Sequence, residues 1–189
     1  MEVPLNIISS ESAIELITHG GVLRNCHIKG KLDLNEMEKK LGLDLLFENC
    51  SFENFNSIAI EFNHPIRFVG CRFYACSFYA NYFIRGLNIE NCVFESHLEF
   101  QAGGHNINGT LSIANSKFNG FVNFCDCWYQ GNVVVVNNDF VKGTNLLGNK
   151  NAPCKIQFDV EPFIENNIGK IDMDGEGDIT INTIHLKGF

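Results

Sequence analysis

The chain has 189 residues, 45% of them hydrophobic and 17 of them phenylalanine, enough for one continuous core and short for two domains. A net charge of −8, from 22 acidic and 14 basic residues, argues against a protein that grips nucleic-acid phosphates. Only 19% of residues are charged, which excludes a disordered tail or a coiled coil, and no apolar run reaches the ~18 residues of a membrane-spanning helix. The opening MEVPLNIISS has neither a basic flank nor a long apolar stretch, so no signal peptide is expected.

From the N-terminus, Ser10 to Gly20 reads as an amphipathic helix, with Ser12 and Glu15 as a capping box and Gly20 as its stop. Residues 1–20 are expected to cap a single domain spanning 1–189, with repeats filling 21–189. Asn35 to Gly42 predicts a short second helix inserted into the first repeat.

The pattern apolar-x-apolar-x-Asn-Cys-x-Phe runs through Leu45, Phe47, Asn49, Cys50 and Phe52. It recurs at Ile66–Phe73 with Gly70 in place of Asn, and at Leu87–Phe94, Leu111–Phe118 and Val133–Phe140. Ile156–Phe163 keeps the apolar skeleton, and degenerate copies cover Gly21–Ile28 and Ile179–Leu186. The starts at 21, 45, 66, 87, 111, 133, 156 and 179 are 24, 21, 21, 24, 22, 23 and 23 residues apart. That period is too short for a helix pair, which needs ~33 residues. Alternation inside each copy marks strands, and a Gly or Pro precedes each copy. A strand and a return in each copy describe one rung of a parallel β-helix.

Within the second full copy, Ile66, Phe68, Cys71, Phe73, Cys76, Phe78, Asn81 and Phe83 step by 2 and 3 in alternation, as if a corner were turned at every 3. The units centred on Phe73, Phe78 and Phe83, each with Cys or Asn two places before, resemble the pentapeptide-repeat family. The resemblance covers about 45 to 94. It implies an all-β fold: a right-handed, quadrilateral parallel β-helix of about eight rungs behind the N-terminal helix. It also implies a bacterial source and, for one branch, an acidic rod that mimics duplex DNA and binds type II topoisomerases such as gyrase.

Cys26, Cys50, Cys71 and Cys92 share one register and are expected to form a buried ladder of reduced thiols, as in the cytoplasm. Cys125 and Cys127 lack a zinc spacing. Asn25, Asn49, Asn91, Asn115 and Asn137 suit tight turns and could stack amide on amide. Phe52, Phe73, Phe94, Phe118, Phe140 and Phe163 read as a core stack; a binding platform would need an outward aromatic row. Asp172, Asp174, Glu176 and Asp178 imitate a calcium loop, but Thr183 stands where a bidentate Glu is needed, so an acidic turn is the simpler reading. His105 follows two glycines on the best candidate for a protruding tip. Val134 and Val136 form an outward apolar spot, and Leu186 and Phe189 are candidates for a homodimer through the C-terminal repeats.

No carboxylate pair with a base gathers on the outward columns, so the chain reads as a non-catalytic protein-binding or scaffold protein. No cofactor, no membrane and no direct nucleic-acid contact are expected. Topoisomerase modulation and a carbohydrate-active β-helix enzyme stand as the alternatives.

Overall fold

The computed structural model describes residues 4–40, 42–148 and 155–176. A short strand, Asn6–Ser9, leads into a helix, Ser10–Gly20. The cap of this helix is Ser9, not Ser12: the Ser9 hydroxyl accepts the Ser12 N–H at 3.2 Å. Gly21, at φ +66, ends it by donating its N–H to the Ile17 carbonyl, one residue later than expected. Ala13 and Ile17 are the buried face, packed toward the strand Cys26–Asp33. A 3-10 helix, Leu34–Lys40, occupies the predicted insertion and buries Leu34 and Met37.

Beyond the helix, strands pair in parallel with the next copy of the pattern. Val22–Arg24, Leu45–Glu48, Ile66–Val69, Leu87–Glu90, Leu111–Ala114, Val133–Val136 and Phe163–Glu165 form a seven-stranded sheet in that order. Its registers, Val22 on Leu46, Leu45 on Ile66, Ile66 on Leu87, Leu87 on Leu111, Leu111 on Val133 and Val134 on Phe163, are offsets of 24, 21, 21, 24, 22 and 29 residues. Alternate residues face inward, so Phe47, Phe68, Ile89, Ile113 and Val135 are fully buried while their neighbours look out.

The expected all-β, quadrilateral coil of about eight pentapeptide rungs is overturned by this arrangement. Among the described residues the strands gather into parallel sheets of ten, seven and two strands, joined by an α-helix and a 3-10 helix, and not into four equal faces. Four five-residue faces need a 20-residue period, and offsets of 21 to 29 leave unequal loops between the sheets. The last expected copy, Ile179–Leu186, lies outside the described residues.

The interior is a set of aromatic stacks. Phe52, Phe73, Phe94, Phe118 and Phe140 lie ring over ring, with centroids 4.9, 4.5, 4.9 and 4.9 Å apart. Phe78, Phe100 and Phe124 form a second stack at 5.2 and 4.9 Å. Each pair adds about 0.5–1.5 kcal/mol beyond the area it buries.

Phe163 does not join the stack. It pairs with Val134 on the outer face and is 52% exposed. Ile156–Phe158 belongs elsewhere: Gln157 pairs with Trp128 and Phe158 with Tyr129. The true sixth copy starts one loop later, with Ile164 under Val135, Asn166 at the corner and Gly169 near Phe140.

Candidate functional site

Parallel pairing turns each sequence position into a column, and the columns differ in what they expose. Asn25, Asn49, Asn91, Asn115, Asn137 and Asn166 all sit at one corner with φ between +51 and +56, and Gly70 takes their place at φ +63. Asparagine tolerates this left-handed backbone better than most residues. Side-chain stacking is minor, with Asn49 Nδ2 reaching Asn25 Oδ1 at 3.4 Å. A shallow groove of about 560 Å³ crosses this corner beside His27 and Arg72, and Arg72 is paired with Glu95.

The adjoining inward column holds Cys26, Cys50, Cys71 and Cys92, all buried and free. The Sγ atoms of Cys50, Cys71 and Cys92 donate to the carbonyls of Leu23, Phe47 and Phe68 at 3.3–3.5 Å. Ser116, Asn138 and Asn167 continue the column. Cys92 N–H donates to Ser116 Oγ at 3.0 Å, Ser116 N–H to Asn138 Oδ1 at 2.9 Å, and Asn138 N–H to Asn167 Oδ1 at 3.0 Å. The column therefore satisfies buried corner N–H groups, a structural duty. Burial pushes the Cys76 thiol up, and that of Cys127 up to about 12. Cys125, outside this column, is disulfide-bonded.

Another corner carries the molecule's most distinctive surface. Ala59, Ala80 and Ala102 adopt φ +53, +55 and +60, and Asp126 φ +56. Alanine in this region costs ~1–2 kcal/mol with no side-chain amide to recover it. Exposed Ile58 and Tyr79 precede the first two alanines.

Two residues past the corner runs a register of Glu61, Tyr82, Gly104, Trp128 and Gln157. Gly104 cannot carry a side chain, because a Cβ there would lie 2.5 Å from the Trp128 carbonyl oxygen. The ring of His105 covers the gap, 4.1 Å from Tyr82 and 5.3 Å from Trp128 between centroids. Tyr82 and Trp128 remain 37% and 38% exposed, and Ile107, two residues past His105, 54%. Trp128 Nε1 donates to Asp159 Oδ1 at 2.9 Å, which orients the indole. His105 is thus the middle of an outward aromatic row, not a protruding tip. The Gly103-Gly104-His105 run was visible in the sequence; Tyr82 and Trp128 carried no signal until the register placed them together.

The acidic motif divides. Asp178 lies outside the described residues and Asp172 faces solvent. Asp174 and Glu176 line a pocket of about 270 Å³ with His97 and Asn123. His97 Nε2 lies 3.3 Å from Glu99 and its Nδ1 3.3 Å from Glu176. The Glu99 hydrogen bond raises the His97 pKa, with Glu176 adding to it against partial burial. Among the described residues no three His, Cys, Asp or Glu side chains are placed to hold a metal ion. Val134 and Val136 are half-buried and pair with Phe163 and Glu165; Leu186 and Phe189 lie outside the described residues. No helix among the described residues is long and apolar enough to cross a membrane.

No curated protein and no solved structure matches the chain. A family profile described as adenovirus EB1 55K protein / large t-antigen matches residues 16–153. This replaces the pentapeptide-repeat resemblance and the bacterial source it implied. The Cys-x-Phe spacing that suggested that family reflects stacking inside the sheets, which any parallel stack of this period can produce. The match runs from within the capping helix to beyond the aromatic row and covers more than half of the sequence, so the chain belongs to the adenovirus EB1 55K protein / large t-antigen family.

Proposed function

We propose that this protein is a non-catalytic binding protein that meets a protein partner on the alanine corner and the Tyr82–His105–Trp128 row. One observation carries this reading: three exposed or half-exposed left-handed alanines stand two residues before the Glu61–Tyr82–Gly104–Trp128 register, and Tyr79, Tyr82, Ile107 and Trp128 are all exposed. Tyr and Trp are the residues that dominate interface energetics, and an apolar patch of this kind on a folded chain marks an interaction site. The topoisomerase alternative loses its support with the pentapeptide resemblance. Buried free cysteines support a reducing compartment such as the cytoplasm, with Cys125 the exception.

A photo-crosslinking residue placed at position 107, and separately at position 134 on the seven-stranded sheet, tests the reading in cells that express the protein. The expected result is a discrete protein adduct from position 107, absent from position 134 and lost on Trp128→Ser. Adducts of equal yield from both positions, or an adduct that survives Trp128→Ser, would overturn it.

A further inference from the structure

We infer that the occupant of this surface is a basic amphipathic α-helix of a partner protein, lying along the aromatic row. The inference rests on the protein-binding reading above and adds the partner's chemistry.

Backbone geometry selects the helix. Along the row, main-chain groups are already engaged between copies: Tyr82 N–H donates to the Ile60 carbonyl at 2.9 Å, Trp128 N–H to Gly103 at 3.0 Å, and Gln157 N–H to Cys127 at 2.9 Å. An extended peptide could not add across this face by strand pairing, because the ladder bonds along it already run between the copies. A helix satisfies its own backbone and presents side chains alone. From Glu61 to Gln157 the row makes four steps of ~4.8 Å, roughly 19 Å in all. That length takes about 3.5 helical turns at ~5.4 Å each, so one apolar side chain per turn can seat near each step.

Charge selects the basic rim. Glu61 stands at one end of the row, Asp159 at the other, and Asp126 at the corner two residues before Trp128, all exposed. Lys155, level with Asp126, and Arg85, three residues past Tyr82, only partly offset them. The whole chain carries −8. Lysine or arginine flanking an apolar stripe would meet carboxylates at both ends and aromatic rings between them.

Trp128 is the single tryptophan, so its fluorescence reports directly on the surface. The probes are two synthetic 18-residue helical peptides with the same leucine stripe, one with lysine and one with glutamate on the remaining face. The lysine peptide is expected to shift the Trp128 emission saturably, and at least 10-fold more tightly than the glutamate peptide. Ile107→Asp is expected to weaken it at least 10-fold. General attraction to an acidic protein predicts the opposite for Ile107→Asp, which adds a negative charge, so unchanged or tighter binding by that variant overturns the inference. Equal affinity for the two peptides overturns the basic rim and leaves the protein-binding surface standing. No saturable response to either peptide overturns the helical occupant, while the position-107 crosslink continues to judge the surface itself.

Discussion

Two corners of this fold impose the same left-handed backbone and fill it with opposite side chains. The asparagine corner, with Gly70 among its members, follows local preference: each residue there tolerates φ near +50° to +65°. The alanine corner holds φ +53, +55 and +60 with a residue that gains nothing locally from it. Both corners donate N–H groups to the next copy at similar distances, 2.8 Å for Asn49 and 2.9 Å for Ala59, so the backbone alone does not explain the difference. The surfaces do. The asparagine corner is polar, while the alanine corner is small and apolar through three copies before Asp126 takes the position, and is bordered by Tyr79, Tyr82 and Ile58. A local rule broken without structural gain is the pattern expected where a surface serves recognition.

Several measurements can break or sharpen this contrast. The largest effect belongs to the core both corners share. Phe73→Ala should cost about 3–5 kcal/mol in chemical denaturation, because it removes an interior ring of a five-ring stack. A loss below about 1 kcal/mol would show that the stack does not hold the corners together. Next is the inward column beside the asparagine corner. Asn138→Ala removes the acceptor of the Ser116 N–H and the donor to the Ile113 carbonyl, both 2.9 Å bonds. The buried groups left behind should cost about 1–3 kcal/mol.

The corners themselves should then respond with opposite signs. Ala80→Gly relieves the left-handed strain and should raise stability by about 1 kcal/mol. Asn91→Ala introduces that strain and should lower it by a similar ~1 kcal/mol. Equal urea midpoints for wild type and Ala80→Gly would remove the argument that alanine at this corner is costly.

The smallest effect is a pH dependence. His97 bonds Glu99, whose other oxygen accepts the Gln101 N–H at the entrance to the Ala102 corner. The bond to Glu99 raises the folded-state pKa of His97. A raised histidine pKa contributes stability that is fully present below the unfolded value of ~6.5 and is lost as pH rises through the folded value. Stability should therefore fall modestly as pH rises from about 6.5 through the raised folded value, and His97→Gln should flatten that slope. The side chain is more than a third exposed, so solvent screening keeps the effect small. A slope identical in the variant would place the titration elsewhere.

Much of the local architecture was legible in the residues. Alternation in Leu45–Glu48, Ile66–Val69, Leu87–Glu90, Leu111–Ala114 and Val133–Val136 marks strands because period-two burial leaves no other regular element. Asn at five corresponding positions points to left-handed corners for the same kind of local reason. What failed was spacing. The copy at Ile156 looked regular in the one-dimensional pattern, yet Gln157 pairs with Trp128 and the register resumes only at Phe163. The helix cap slipped from Ser12 to Ser9 because both positions offer a hydroxyl, and the hydrogen bond chooses between them.

By itself, then, the sequence determined the strands, the phenylalanine stack from Phe52 to Phe140 and the asparagine turns, since each follows from side-chain size, period or backbone tolerance within a few residues. Tertiary structure alone decided how strands divide among sheets of ten, seven and two, and which exposed residues become neighbours. Tyr82, His105 and Trp128 lie 23 residues apart in sequence at each step, yet 4.1 and 5.3 Å apart between rings. Their row exists only because parallel pairing sets Gly104 beneath Trp128, where close backbone approach forbids a side chain and leaves the space to His105.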